Sequence, residues 1–170
     1  QVLAATAVRA TALSIDACRA TDAFLDARIH AARNQPGQQR VAAQVLAQLA
    51  GSQVLIAHKD NDPRVQDPYS FRCSPQVLGA VLDALAFVRA TVERELGAVT
   101  DNPLVFDGGA SGASGAGNAA GEANHPAAIL SGGNFHGMPL AIAMDTAKIA
   151  LSHLAGISER RVFWILAATD

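Results

Sequence analysis

Apolar positions recur at steps of three and four along most of the chain. From residue 2 to about 33, Val2, Ala5, Val8, Ala12 and Ile15 share one helical face, and Asp22 to Asp26 is a candidate interruption. Asn34-Gln35-Pro36-Gly37 is a turn signal, after which a second helix is expected from Gln38 to Ser52. The periodicity vanishes from His58 to Phe71, where Asp60-Asn61-Asp62-Pro63 and Asp67-Pro68 favour an irregular loop. Ser74-Pro75 reads as an N-cap followed by proline in the first helical turn. It opens a helix carrying Leu78, Val81, Leu82, Leu85, Val88, Val92 and Leu96, ended by Asp101-Asn102-Pro103. Residues 107 to 130 hold six glycines among alanines and serines and read as a flexible surface insert. A last long helix follows from Pro139, with Leu140, Ala143, Ala147, Leu151, Leu154, Ile157 and Ile165 along a face. No strand signal competes. The pattern predicts an all-α fold, a bundle of long antiparallel helices with functional residues in the loops.

Composition supports this. The 170 residues are 50% hydrophobic but only 5% aromatic, a poor composition for a β-sandwich core. The net charge is −2 with both signs interspersed, which gives no basic footprint for nucleic acid. No stretch of about 18 apolar residues is free of charge, so no membrane span or membrane partner is expected. Cys18 and Cys73 lack metal-type spacing and read as thiols in a reducing, cytoplasmic compartment. The chain starts at Gln1 inside an apolar pattern and stops at Asp170 just after another. That leads to the expectation of a single helical domain, 1–170, cut from a longer chain. Two apolar stripes this long need more cover than the chain offers, so pairing with other subunits or with further parts of the same subunit is expected.

Three segments carry chemistry. Gln66-Asp67-Pro68-Tyr69-Ser70-Phe71-Arg72 puts a phenol, a guanidinium and an amide within seven residues. An arginine fork grips a carboxylate with two hydrogen bonds, and a tyrosine near cations loses its proton more easily and can act as a base. The same residues equally suit a loop pinned by the tyrosine hydroxyl and an Arg–Asp pair. Gly132-Gly133-Asn134-Phe135-His136-Gly137 precedes a helix N-terminus, a weak anion-site signal taken alone. Thr100-Asp101-Asn102-Pro103, by itself, is a helix stop. The remaining histidines carry less: His30 reads as structural, His58 as loop packing, His153 as core or interface, and His125 has no evident role. No His/Cys/Asp/Glu set has metal spacing, and there is no phosphate loop or dinucleotide fingerprint.

In order, Gln66 to Cys73, Ser74 to Gly79, Thr100 to Leu104 and Gly132 to Gly137 resemble the histidine/phenylalanine/tyrosine ammonia-lyase family and its aminomutase relatives. The resemblance runs from Gln1 to about Arg161. Asp26 to Arg33 with Pro36-Gly37-Gln38, Ser158-Glu159-Arg160-Arg161, and His136 resemble its histidine branch. The resemblance implies a helical bundle of the fumarase/aspartase type in a homotetramer with shared active sites. It also implies a 4-methylidene-imidazol-5-one electrophile built from an Ala-Ser-Gly triad, and elimination of ammonia from L-histidine to give urocanate. By resemblance Tyr69 is the catalytic base and Arg72 binds the substrate carboxylate. Gln66 and Asn102 line the pocket, Phe135 lies beside the electrophile, and His136 contacts substrate.

The chain departs from the family pattern in places. The triad with its flanking residues is expected upstream. Ala110-Ser111-Gly112 and Ala113-Ser114-Gly115 spell it twice, but within the Gly/Ala insert and without those neighbours. A chain without the precursor is expected to be inactive by itself. The family's downstream acid is expected beyond Asp170. Met138 stands where histidine lyases commonly complete a pair ending in Glu. Alternatives are a phenylalanine or tyrosine lyase, an aromatic aminomutase, or a catalytically inactive assembly module. A fumarase-type lyase without the electrophile lacks support, since Gly137-Met138-Pro139 only echoes that group's loop.

Overall fold

The computed structural model describes residues 2–60, 62, 64–107 and 126–167. Seven α-helices and one two-stranded sheet are described: α1 (Val2–Ala17), α2 (Ala27–Arg33), α3 (Pro36–Leu49), α4 (Gln53–His58), α5 (Tyr69–Arg72), α6 (Ser74–Glu95), β1 (Leu104–Phe106), β2 (Ala128–Leu130) and α7 (Met138–Ala167). The fold is all-α. A single 3-10 turn at Ala23–Leu25 divides α1 from α2, where the interruption was expected. Asp26 caps α2 by accepting from the Arg28 amide at 2.9 Å, and Asn34 closes it in the left-handed region at φ 55°.

The long helices pack because their stripes face one another. α6 is central, with α3 against one side and α7 against the other, and α1 closes the group. Val8, Ala12 and Ile15 of α1, Val41, Val45 and Leu49 of α3, Leu78 and Val81 of α6, and Leu154 and Ile157 of α7 form one core, to which α5 adds Phe71. Ile15 is fully buried, worth about 1.5–3 kcal/mol. α3 approaches α6 at two glycines. A Cβ on Gly37 would lie 2.3 Å from the Gly79 carbonyl oxygen, and one on Gly79 would lie 2.3 Å from the Gln38 nitrogen. The closeness lets Asp83 of α6 accept from the Gly37 amide at 3.0 Å, near the N-terminus of α3.

Three expectations need correction. α6 ends at Glu95 rather than at Asp101-Asn102-Pro103, because Gly97 adopts φ +83° and turns the chain out. Ser74 lies inside α6, not at its cap; its hydroxyl donates back to the Phe71 carbonyl at 2.6 Å while Cys73 holds the cap position. Strands do form: β1 and β2 pair antiparallel, Leu104 opposite Leu130 and Phe106 opposite Ala128. Three residues each are too short for alternation to register in the sequence. The end of the glycine-rich insert at 128–130 is thus a strand, while both Ala-Ser-Gly copies and His125 lie outside the described residues.

α7 buries Ala143, Ala150, Leu154, Ile157 and Arg161 and leaves Ile142, Ile149, Val162, Phe163 and Leu166 exposed. Both α6 and α7 contain 18-residue windows of mean hydropathy 1.3, long and apolar enough to cross a bilayer by that measure alone. Asp83 on α6 and the Asp145–Lys148 pair on α7 (2.9 Å) are charges that hydrocarbon penalises. Arg161 is only 3% exposed, and its Nη1 donates to Thr11 on α1. Burial lowers the affinity of this guanidinium for its proton, and its Nε has no partner among the described residues.

Candidate functional site

Pro68 fixes the entry to α5, and its carbonyl accepts from the amides of Phe71 (3.0 Å) and Arg72 (3.1 Å). One helical turn then sorts the side chains. Ser70 and Phe71 point into the core, while Tyr69 and Arg72, three apart, share the outer face. Tyr69 is 71% exposed, and the Arg72 guanidinium lies over its ring, 4.4 Å from the centroid. Arg72 Nε donates to the Asp67 carbonyl at 3.0 Å. Among the described residues neither the Tyr69 hydroxyl nor the two terminal NH2 groups of Arg72 has a partner. The phenol therefore does not pin this loop. A phenol oxygen and a cationic fork are presented side by side, an arrangement suited to taking a proton from a molecule held by its carboxylate. Gln66, also exposed, lies at the start of the same segment.

The loop is pinned instead by Asp67. Its buried carboxylate accepts through Oδ2 from the Thr21 amide and the Thr21 hydroxyl, both at 2.8 Å. Arg64 Nη1 lies 3.6 Å from Oδ1. Arg64 also donates to the Cys18 carbonyl at 3.3 Å and to the Arg19 carbonyl, capping the C-terminus of α1, and pairs with Asp62 at 2.9 Å. That pair holds the Asp62 carboxyl down at about 2, chiefly through the Arg64 side-chain hydrogen bond and then the Arg64 amide.

A second group forms where α6 leads into α7. Asn102 Oδ1 accepts from the Gly132 amide (2.7 Å) and the Ser131 hydroxyl (3.1 Å), and Asn134 Nδ2 donates to the Val99 carbonyl (3.3 Å). The Asn102–Pro103 peptide is cis. With its oxygen tied, Asn102 has a fixed orientation, and its NH2 has no partner among the described residues. Phe135 is 63% exposed, and His136 Nδ1 accepts from the Met138 amide at 3.3 Å.

The two groups do not meet within one chain. Tyr69 and Arg72 precede α6; Asn102, Phe135 and His136 follow it. The 22 residues of α6 separate them by about 33 Å. α5 contacts α7, and the Thr11–Arg161 bond joins the same end of the bundle, so the second group lies at the far end of α7 as well.

The other histidines among the described residues, His30, His58 and His153, sit in packed surroundings. His30 is buried, its Nε2 at 2.9 Å from the Phe24 carbonyl and its Nδ1 at 2.9 Å from Gln38 Nε2. His58 Nδ1 donates to the Val54 carbonyl at 2.6 Å. His153 lines an apolar cleft of about 460 Å³ between α6 and α7, with Val77, Val81 and Ile149. Among the described residues no three His, Cys, Asp or Glu side chains form a metal-holding group. Sequence reasoning singled out Tyr69, Arg72 and Asn102 but passed over Thr21 and Arg64, which lie 46 and three residues from Asp67 and carry no motif.

The chain is similar to known proteins over most of its length. The family profile "Aromatic amino acid lyase" matches residues 1–168. Histidine ammonia-lyase of Koribacter versatilis is 48% identical over 95% of the chain, and that of Geobacillus kaustophilus is 49% identical over 89%. The chain spans only 30% and 26% of their lengths. Among solved structures, histidine ammonia-lyase from Trypanosoma cruzi superposes with a TM-score of 0.71 at 36% identity, covering 94% of this chain and 25% of that one. Tyrosine aminomutase from Streptomyces globisporus superposes with a TM-score of 0.76 at 33% identity, covering 96% and 31%.

Proposed function

The chain belongs to the aromatic amino acid lyase family, and on that premise we propose that it is part of a cytoplasmic histidine ammonia-lyase, which converts L-histidine to urocanate and ammonia. The observation that carries this reading is the exposed Tyr69–Arg72 pair, a base and a carboxylate grip on one turn. Arg72 takes the substrate carboxylate through its terminal NH2 groups. Tyr69 acts as the base that takes the β-proton. The C–N bond breaks, a C=C bond forms, and nitrogen leaves as ammonia.

The substrate's β-proton is poorly acidic, and 4-methylidene-imidazol-5-one supplies the electrophilic activation that lets it leave. The Ala-Ser-Gly triad that forms it belongs upstream of this chain. The residues present would fit such a group: Asn102, fixed through its oxygen and with its NH2 unpartnered among the described residues, would serve as a donor to it, and Phe135 would offer it an exposed apolar face. Gln66 orients the substrate from the Tyr69 side and His136 from the other. Because the two groups stand about 33 Å apart, each site takes Tyr69 from one copy and Asn102 from another, in a homotetramer. The exposed apolar face of α7 supports that assembly, and no nucleic acid, membrane or metal takes part.

The test is product formation by the complete protein offered L-histidine, L-phenylalanine and L-tyrosine separately. Urocanate absorbance from histidine alone supports the reading. A cinnamate-type product or a β-amino acid would move the substrate. An aromatic aminomutase is the second reading, because Met138 follows Gly137.

A further inference from the structure

We propose that Thr21, Asp67 and Arg64 form a latch that positions the Tyr69–Arg72 pair and restricts Arg72 to gripping a carboxylate end-on, through its two terminal NH2 groups. The inference rests on the lyase reading of that pair.

The path is continuous. Thr21 lies between α1 and the 3-10 turn, and gives Asp67 two hydrogen bonds at 2.8 Å. Arg64 holds the other oxygen at 3.6 Å, as an ion pair rather than a hydrogen bond, and is itself fixed on the Cys18 and Arg19 carbonyls just past α1. Asp67 is 6% exposed, so its carboxylate cannot relax into water if these partners are lost. With the side chain fixed, the Asp67 main-chain carbonyl is fixed too, and it takes the Nε–H of Arg72 at 3.0 Å.

That last bond uses one donor of the guanidinium's Nε/Nη edge. A side-on grip through Nε is closed, and the Nη1/Nη2 edge remains, beside the Tyr69 ring. The α1 terminus thereby sets the angle at which a carboxylate is presented to the Tyr69 oxygen. None of the latch side chains touches substrate; they act through Arg72.

The experiment uses the complete protein and two unreactive ligands, imidazolepropionate, which keeps the carboxylate, and histamine, which lacks it. Thr21→Val keeps the shape and the amide donor but deletes the hydroxyl donor; Arg64→Gln deletes the ion pair. Each is expected to raise the inhibition constant of imidazolepropionate about tenfold, and KM for L-histidine in parallel, while leaving that of histamine unchanged. Thr21→Ser restores both. Should Thr21→Val fail to fold, Arg64→Gln, at an exposed side chain, decides. Unchanged imidazolepropionate affinity in the folded variants, or parallel weakening of both ligands, refutes the latch alone. Absence of ammonia release by the unsubstituted protein refutes the lyase reading and the latch's role with it.

Discussion

The sharpest test of the packing is Gly79→Ala. The new Cβ would sit 2.3 Å from the Gln38 nitrogen, 2.5 Å from Gln38 Cα and 2.6 Å from the Gly37 carbonyl carbon. All three are backbone atoms, so no side chain can swing aside. Ordinary contact lies near 3.5 Å, and α3 must therefore retreat from α6 by about 1 Å. Overpacking of this kind costs about 1–3 kcal/mol. The retreat also stretches the 3.0 Å bond from the Gly37 amide to Asp83, a charge-assisted bond worth about 1.5–3 kcal/mol. Against this, alanine in mid-helix gains about 1 kcal/mol over glycine. Clash and strained bond win, and the net loss is about 2–3 kcal/mol. In a chain of this size that is about 5–10 °C in Tm. Thermal unfolding of the chain followed by helical circular dichroism reads it. Gly156→Ala is the control: nothing lies within 4 Å of its built Cβ, and it should stabilise by about 0.5–1 kcal/mol. Equal and small effects at both positions would refute the close crossing.

Other outcomes follow from the site. In the complete protein Tyr69→Phe should lower kcat by about 10²–10⁴ with Tm unchanged, since one exposed hydroxyl is lost; unaltered ammonia release would remove Tyr69 as the base. Arg72→Lys should raise KM about tenfold or more, because an ammonium cannot hold the Asp67 carbonyl and offer a two-pronged grip as well; steady-state kinetics reads this. Asp62 and Asp26, each bonded to a neighbouring arginine side chain and then its amide, should titrate at about 2 against 3.8 in the unfolded chain. Their contribution is full above about pH 4 and fades as pH falls through 2; NMR titration midpoints near 3.8 would contradict the pairing. Arg64→Gln should return Asp62, but not Asp26, towards 3.8.

The legible parts of the fold were those governed by local periodicity. Spacing in threes and fours located α1, α3, α6 and α7, and Asn34 and Pro36 marked the α2–α3 turn. Interactions that overrode local signals were not legible. Gly97 stopped α6 before the Asp-Asn-Pro signal, because a left-handed glycine ends a helix wherever packing ceases to favour it. Ser74 found a carbonyl partner at Phe71 and gave up its capping role. The β1–β2 pair joins residues some two dozen apart, which no window of local alternation spans. At the site, Tyr69, Arg72 and Asn102 stood out by residue type and by family resemblance. Asp67 read as a turn former or as one half of an Arg–Asp pair, and its hydrogen-bond partner Thr21, 46 residues away, was not legible.

The length of α6 also has a genetic consequence. Because it holds Tyr69 and Asn102 about 33 Å apart on one chain, a Tyr69→Phe copy and an Asn102→Ala copy are each inert alone but defective at different ends. Co-expressed in equal amounts and assembled at random, they would leave about one site in four with an intact residue from each donor. Two null alleles would therefore complement if Tyr69 and Asn102 of one site come from different chains, whereas no recovered activity would mean that one chain supplies both.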